Sequence, residues 1–508
     1  MADEHGRDGR LQAAARLAVF AAAAFVWLWR GIDSSRTWYG AGLTAMPAFS
    51  PDLMFLRGHL TVVGGPLRYV TDWLSQWFFR PPWGAGILTA LALGVAVAAD
   101  RVAVCLAGRR LHGYRYAPAL LFLVLDGHYL HLLDWQLAWV VTLAATEVLL
   151  RRPEARPAAR LALLLPALTV LYYLVGSAVM VAVPLLVLGE TRQRGTRQRG
   201  TPAVAVAIVL WSALLPWLCT RCGFDQPWTD AYKALLGPLV RNDEYGMAYA
   251  AAVGMVAFAL LVGGLALKAA GSPEPRREPR PLYAWAAVAG ACAVMIVAGR
   301  DRVEGLRLEM ASHASRGEWN AVLSAADRMD PKDITQFDGY NILLALAHNG
   351  QAGESLFHYG LQEFNLLRDD PRLGDANKLL QLRTEYGLQL HNLELELGFV
   401  NEAEHATHET LETQGTYAAL LVPMARIQVM HGQVEAAKVF LRLAAAQPGD
   451  PAHARPLLRE LRDDPTLSGD AQQSDLVRWR LSADIYDSPS TTARMEQVVK
   501  EHPDHRLA

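Results

Sequence analysis

Residues able to do chemistry gather in three places. In LDGHYLHLLDWQ (125–136), Asp126, His128, His131 and Asp134 crowd a short stretch. His128, His131 and Asp134 step by three, so a helix sets them along one ridge. Carboxylate and imidazole in that pattern bind a divalent metal, relay protons or contact a phosphate sugar. The competing reading is a wet hairpin tip, where these groups need no partner. No H-E-x-x-H pattern is present, so nothing singles out metal. The second place holds two acids, Asp33 and Asp52, the latter in FSPDLMFLRGH; their bland reading is as loop caps. The third is Cys219 and Cys222, a C-x-x-C without a thioredoxin-like context, followed by Asp225, Trp228, Asp230 and Arg241. A structural disulfide or two idle thiols is the expectation there.

Composition says what must position these residues. The chain has 508 residues, 52% of them hydrophobic and 19% charged. Residues 1–300 hold 28 Lys and Arg against 18 Asp and Glu, while 301–508 hold 20 against 32. A basic apolar half therefore precedes an acidic one. Disordered, collagen-like and disulfide-scaffold chains are excluded. No Walker motif, no G-x-G-x-x-G after a strand and no G-x-S-x-G occurs, and the acidic tail argues against nucleic acid.

A span needs roughly 20 apolar residues. Leu11–Trp29 supplies the first, and further apolar segments lie at 84–107, 117–150, 161–188, 203–219, 247–269 and 282–299. Segments 117–150 and 161–188 carry arginines at both ends, so each is expected to go out and return, the second with its turn near Gly176. The expectation is about nine spans in a bacterial cytoplasmic membrane, N-terminus inside, with residues 301–508 exported. The loop 30–83 is long and aromatic. GPLRYVTDWLSQWFFR (65–80) sets Val70, Trp73, Trp77 and Phe78 on one helical face, as in a helix lying at the lipid surface.

In the acidic half, Gly398 and Gly432 stand one 34-residue period apart. YAALLVPMARIQVMHGQVEAAKVFLRLAAAQ resembles a tetratricopeptide repeat, with Gly432 at the turn, Ala437 and Ala444 between helices and Leu441 in the bulky slot. The preceding copy puts Thr407 and Thr410 where apolar residues are expected. The fold expected is all-α: a polytopic membrane domain (1–300) followed by a tetratricopeptide-like solenoid (301–508). Its ten histidines lack ligand spacing and are expected to be ordinary surface or core residues.

The layout of residues 11–300 resembles the multi-span GT-C glycosyltransferases that use polyprenyl-phosphate-linked sugars. That resemblance implies an acid after the first span, Asp33 or Asp52, as base or metal ligand. It also implies Arg57 or Arg68 on the lipid phosphate. The whole pattern also resembles a group of uncharacterised bacterial membrane proteins. Two readings follow: an exported interaction module with a protein partner in envelope assembly, and a glycosyl-transfer enzyme whose substrate sites include Asp126, His128, His131 and Asp134. Membrane lipids are partners in both; a divalent metal is the one cofactor candidate.

Overall fold

The computed structural model describes residues 2–39, 46–108, 115–130, 133–152, 156–194, 201–221, 223–224, 227–233, 281–361, 391–449, 453–482 and 491–505. The chain divides into two compact units. The first comprises Met1–Ser34, Asp52–Ser75 and Arg80–Arg300; the second comprises Ser35–Pro51, Gln76–Phe79 and Asp301–Ala508. The described residues are helical and turn, without strands.

The first unit contains α1 (Ala2–Val26), a π turn (Trp27–Ile32), α2 (Leu53–Leu60), α3 (Gly65–Ser75), α4 (Pro81–Ala107), α5 (Ala117–Gly127), α6 (Leu133–Leu150), α7 (Pro157–Val175), α8 (Ala182–Arg194), α9 (Thr201–Arg221), α10 (Trp228–Lys233) and α11 (Pro281–Ala298). Apolar side chains of α4 to α9, among them Val95, Phe122, Trp139 and Leu168, form one continuous core. Small residues let the helices approach: a Cβ on Gly94 of α4 would lie 3.1 Å from Val140 of α6. Arg160, at the start of α7, is ion-paired with Glu190 near the end of α8. Straight helix would hold two residues thirty apart about 45 Å from each other. The chain therefore reverses between them, at the 3-10 turn Gly176–Val181.

Among the described residues five helical stretches are long and apolar enough to cross a membrane: Leu11–Ile32, Pro81–Leu106, Leu133–Leu150, Pro157–Thr191 and Pro202–Arg221. The protein is thus a helical membrane protein, with fewer full-length candidates than the nine crossings expected. α5 measures about 16 Å and the apolar part of α11, Trp285–Ala298, about 21 Å, both short of a ~30 Å hydrocarbon layer. Segment 247–269 lies outside the described residues. The expected 65–80 helix needs correction: α3 stops at Ser75, and Gln76–Phe79 joins the second unit. Val70 and Trp73 stay exposed, whereas Phe78 is buried. Just past the end of α3, the Gln76 side-chain amide donates to Pro47 O at 2.8 Å.

The second unit is built of helix pairs: α12 (Arg302–Ala314) with α13 (Trp319–Ala326), α14 (Gln336–His348) with α15 (Ala352–Ser355), residues 391–397 with α16 (Val400–Gln414), and α17 (Ala418–Met430) with α18 (Val434–Ala446). α19 (Ala454–Asp463), α20 (Ala471–Trp479) and α21 (Thr491–Glu501) follow. Gly317, Gly350, Gly398 and Gly432 occupy the turns inside the four pairs, each with φ between 68° and 84°, a left-handed bend that glycine accepts without strain. Ala437, Leu441 and Ala444 are fully buried against α17 and α19, as their spacing predicts. Thr407 and Thr410 are buried too, and each hydroxyl donates to a carbonyl one turn back, Ala403 O at 2.6 Å and Ala406 O at 2.8 Å. That back-bonding lets a polar residue fill an apolar slot.

Candidate functional site

The predicted residues of the first unit fall at the end of the bundle where α1 stops and α6 begins. α1 ends in its π turn, and Asp33 halts it with φ 56°, its N–H closing on Leu28 O. Asp tolerates this left-handed conformation better than most residues. The carbonyl just before it, Ile32 O, accepts a hydrogen bond of 2.8 Å from the hydroxyl of Tyr129, itself left-handed at φ 58°. One bond thus joins the Asp33 turn to the 125–136 stretch. Gly127 makes the approach feasible: a Cβ there would lie 1.6 Å from Gly299 O and 2.6 Å from the Trp27 ring. The ends of α5 and α11 therefore meet backbone to backbone, with the Trp27 ring from the end of α1 packed against both glycines.

Asp126 is buried, and its Oδ1 accepts from Gln136 Nε2 at 2.6 Å. Asp126 Oδ2 and Gln136 Oε1 have no hydrogen-bond partner among the described residues. Leaving such atoms dry and unpaired costs about 1–3 kcal/mol each, so this pair is a place of stored cost. His128 bonds through Nδ1 to Val124 O at 2.8 Å. Since a carbonyl only accepts, that nitrogen carries the proton. Asp134 opens α6: its Oδ1 accepts from Trp135 N at 2.8 Å, and its Oδ2 lies 4.0 Å from Arg68 Nε. Two predicted residues from distant stretches, Arg68 and Asp134, are brought together here. His131 lies outside the described residues, as do Cys222, Asp225 and Arg241. Cys219 is buried in α9. Among the described residues no group of three or more His, Cys, Asp or Glu side chains could hold a metal ion.

Asp52 has a local task. It caps α2, accepting from Phe55 N at 2.8 Å, while Arg57 stands on the exposed side of that helix. The polar pair that sequence reasoning missed lies between α2 and α3. His59 Nε2 is 2.9 Å from Asp72 Oδ2, and His59 Nδ1 is 2.9 Å from Phe55 O. Both partners are acceptors, so both ring nitrogens must donate, and the imidazolium is the form that fits. Accordingly the Asp72 hydrogen bond raises the His59 pKa above its usual 6.5, against the opposing effect of burial. The Gly64–Gly65 turn folds the two helices together, and a Cβ on Gly65 would lie 1.6 Å from His59 O.

The α7 turn adds a further set of bonds at this end. Tyr172 and Ser177 hydroxyls donate to Ala231 O at 2.7 and 3.3 Å, and Tyr173 donates to Leu60 O at 3.1 Å. α10 and the end of α2 are thereby tied to one hairpin tip. Asp126 and His128 flank Gly127, and Asp134 lies 4.0 Å from the Arg68 guanidinium. The arrangement offers hydrogen-bond acceptors and the Arg68 guanidinium.

No curated protein and no solved structure matches the chain. The model of a family of unknown function (DUF6057) matches residues 11–508, taking in nearly the whole of both units, and the chain belongs to that family.

Proposed function

We propose that this protein is a membrane-anchored interaction module of the bacterial cell envelope. Its nine-crossing anchor sits in the cytoplasmic membrane, N-terminus inside. Residues 301–508 form an extracytoplasmic, tetratricopeptide-like surface that recruits a protein partner in envelope assembly. The observation that carries this reading is the series of glycine-turned helix pairs at Gly317, Gly350, Gly398 and Gly432. Stacked pairs of this kind bury a shared core and leave side chains of successive helices in one continuous surface. On α18, Val439 and Leu443 stand exposed one turn apart, an apolar patch suited to a partner. Sidedness has support as well. Ser35–Pro51 and Asp301–Ala508 belong to one compact unit, which supports a shared side of the membrane, as the nine-crossing reading requires.

The test uses the full chain in cells. A photo-reactive side chain at Val439 should cross-link one envelope protein, and Leu443→Asp should abolish the product. Cysteine labelling at Gln472 should succeed from outside the membrane. Labelling only from the cytosolic side, or no product from Val439, overturns the reading.

A second reading is glycosyl transfer from a polyprenyl-phosphate-linked sugar, with Asp33 or Asp52 as base and Arg57 or Arg68 on phosphate. The approach of Arg68 to Asp134, beside the Tyr129 to Ile32 bond, favours it. Asn caps a helix as well as Asp does, so Asp52→Asn removes the charge and keeps α2. Undiminished transfer by both Asp33→Asn and Asp52→Asn would eliminate these acids as bases.

A further inference from the structure

The second unit holds two pieces of the loop between α1 and α4, and it holds them by side-chain contacts along its length. At one end, Arg36 reaches α12. Its Nη1 donates to Gly305 O at 3.3 Å and lies 3.0 Å from Glu309 Oε2. The Arg316 guanidinium hydrogen-bonds the Tyr39 side chain. In the middle, Ala48 lies against Gly415, the first residue after α16; a Cβ on that glycine would come within 2.9 Å of the Ala48 methyl. Further on, the Phe79 ring lies against Gly449, just past α18, where a Cβ would come within 2.6 Å. The two loop pieces also hold each other, through Gln76 to Pro47 O and the Trp38 and Phe79 rings, 6.0 Å apart.

Gly415 and Gly449 are one 34-residue period apart, as Gly398 and Gly432 are. The first series bends the chain inside each helix pair. The second bends it between pairs, at φ 97° and 80°, and leaves bare backbone on which a loop residue rests. Met46, Phe49 and Phe78 of the two loop pieces are buried as well. The contacts are those of a ligand lying across successive repeats: one charged anchor, small side chains over glycine, and aromatic or aliphatic residues between.

We infer that the strip formed by the Glu309 face of α12 and the Gly415 and Gly449 turns is a peptide-binding surface, and that the chain's own loop, 35–39 with 46–51 and 76–79, is its resident ligand. This deepens the interaction-module reading and rests on it. The class of outside partner that fits is an extended protein segment offering an arginine and, about twelve residues later, a small apolar residue. Such a partner gains the strip only when the resident segment leaves.

The experiment uses the full chain in lipid nanodiscs, with Arg36→Glu and, separately, Ala48→Trp. Both changes are on the loop, so the helices keep their own sequence. Amide exchange over 46–51 and 76–79 should rise at least tenfold in each while α12 to α18 stay protected. A fluorescent peptide with the sequence of residues 34–51 should then bind the two variants at least tenfold tighter than wild type, and adding Gly415→Ala should abolish that binding. Unchanged exchange in both variants overturns the inference. So does exposed loop without peptide binding, or loss of protection throughout α12 to α18, since the segment would then be a fixed part of the core. No outside partner enters this measurement, so its failure is distinct from failure of the cross-linking experiment.

Discussion

His59, on α2 of the membrane unit, gives both ring protons to oxygen acceptors, one of them the Asp72 carboxylate. His391, in the C-terminal unit, is fully buried, bonds through Nδ1 to Ala403 O and the Thr407 hydroxyl, and has no partner for Nε2 among the described residues. Burial pushes its pKa down to about 4, against a smaller opposing effect of the Ala403 carbonyl, whereas that of His59 is raised. The same side chain is thus shifted toward its charged form in one unit and toward its neutral form in the other. What differs is the supply of carboxylate, more than exposure, because His59 is itself largely covered. Arginine shows a related contrast. Arg68 faces Asp134 at 4.0 Å with both side chains at least a third exposed. Arg494 of α21 is buried, ion-paired with Glu402, 3.9 Å from Glu394 and stacked over Phe399 at 4.4 Å. The C-terminal unit buries this ionic cluster, whereas the Arg68 and Asp134 pair of the membrane unit stays partly exposed.

The largest expected effect belongs to Arg494. Arg494→Met strands two buried carboxylates, and loss of one partner from a buried ionic cluster costs about 3–5 kcal/mol. Local exchange in 391–402 and 491–501 reads this directly. A cost below about 1 kcal/mol would put the cluster level with Arg68 and Asp134 and erase the contrast. Next comes acid sensitivity. The folded-state pKa of His391 is depressed, so between pH 6.5 and 4 the unfolded chain binds the extra proton. The stabilising contribution is present above pH 6.5 and is lost as pH falls toward 4, by about 3 kcal/mol. His391→Leu should flatten this acid limb in the C-terminal unit. An acid limb of unchanged height would show that other groups set it.

Parts of this architecture can be read from the chain and others cannot, for physical reasons. The pair α17 and α18 is legible because Ala437, Leu441 and Ala444 recur on one face around Gly432. Five candidate spans among the described residues are legible from length and hydropathy; the nine crossings expected are not matched in number. The hairpin at 157–194 follows from arginines at both ends, and the Arg160 to Glu190 pairing requires it. The division of the 30–83 loop is not legible. Arg36 and Gln76 anchor it to backbone carbonyls, which every residue type provides, and Ala48 and Phe79 rest on bare glycine backbone. Asp33 and Asp52 stand out by charge, yet each also serves its own turn, one as a left-handed stop and one as a helix cap. Arg68 and Asp134 can each be chosen from sequence, but their meeting depends on α3 packing beside α6, a non-local event.

Smaller effects test the other side of the contrast. Because the folded-state pKa of His59 is raised, its contribution is complete below pH 6.5 and lost as pH climbs through the folded value. His59→Gln removes a charge-assisted hydrogen bond, worth about 1.5–3 kcal/mol at low pH, and should leave α2 and α3 with exchange rates no longer stabilised below pH 6.5. Retention of that pH dependence in the variant would assign it to some other group. The smallest effect is expected of Arg68→Gln. Its pairing with Asp134 is long and solvent-screened, so the cost should stay within about 1 kcal/mol and shrink further with added salt. A larger, salt-insensitive loss would mean that the 4.0 Å pair is buried in the membrane-embedded protein, and Arg68 would then belong with Arg494 among the side chains on which packing depends.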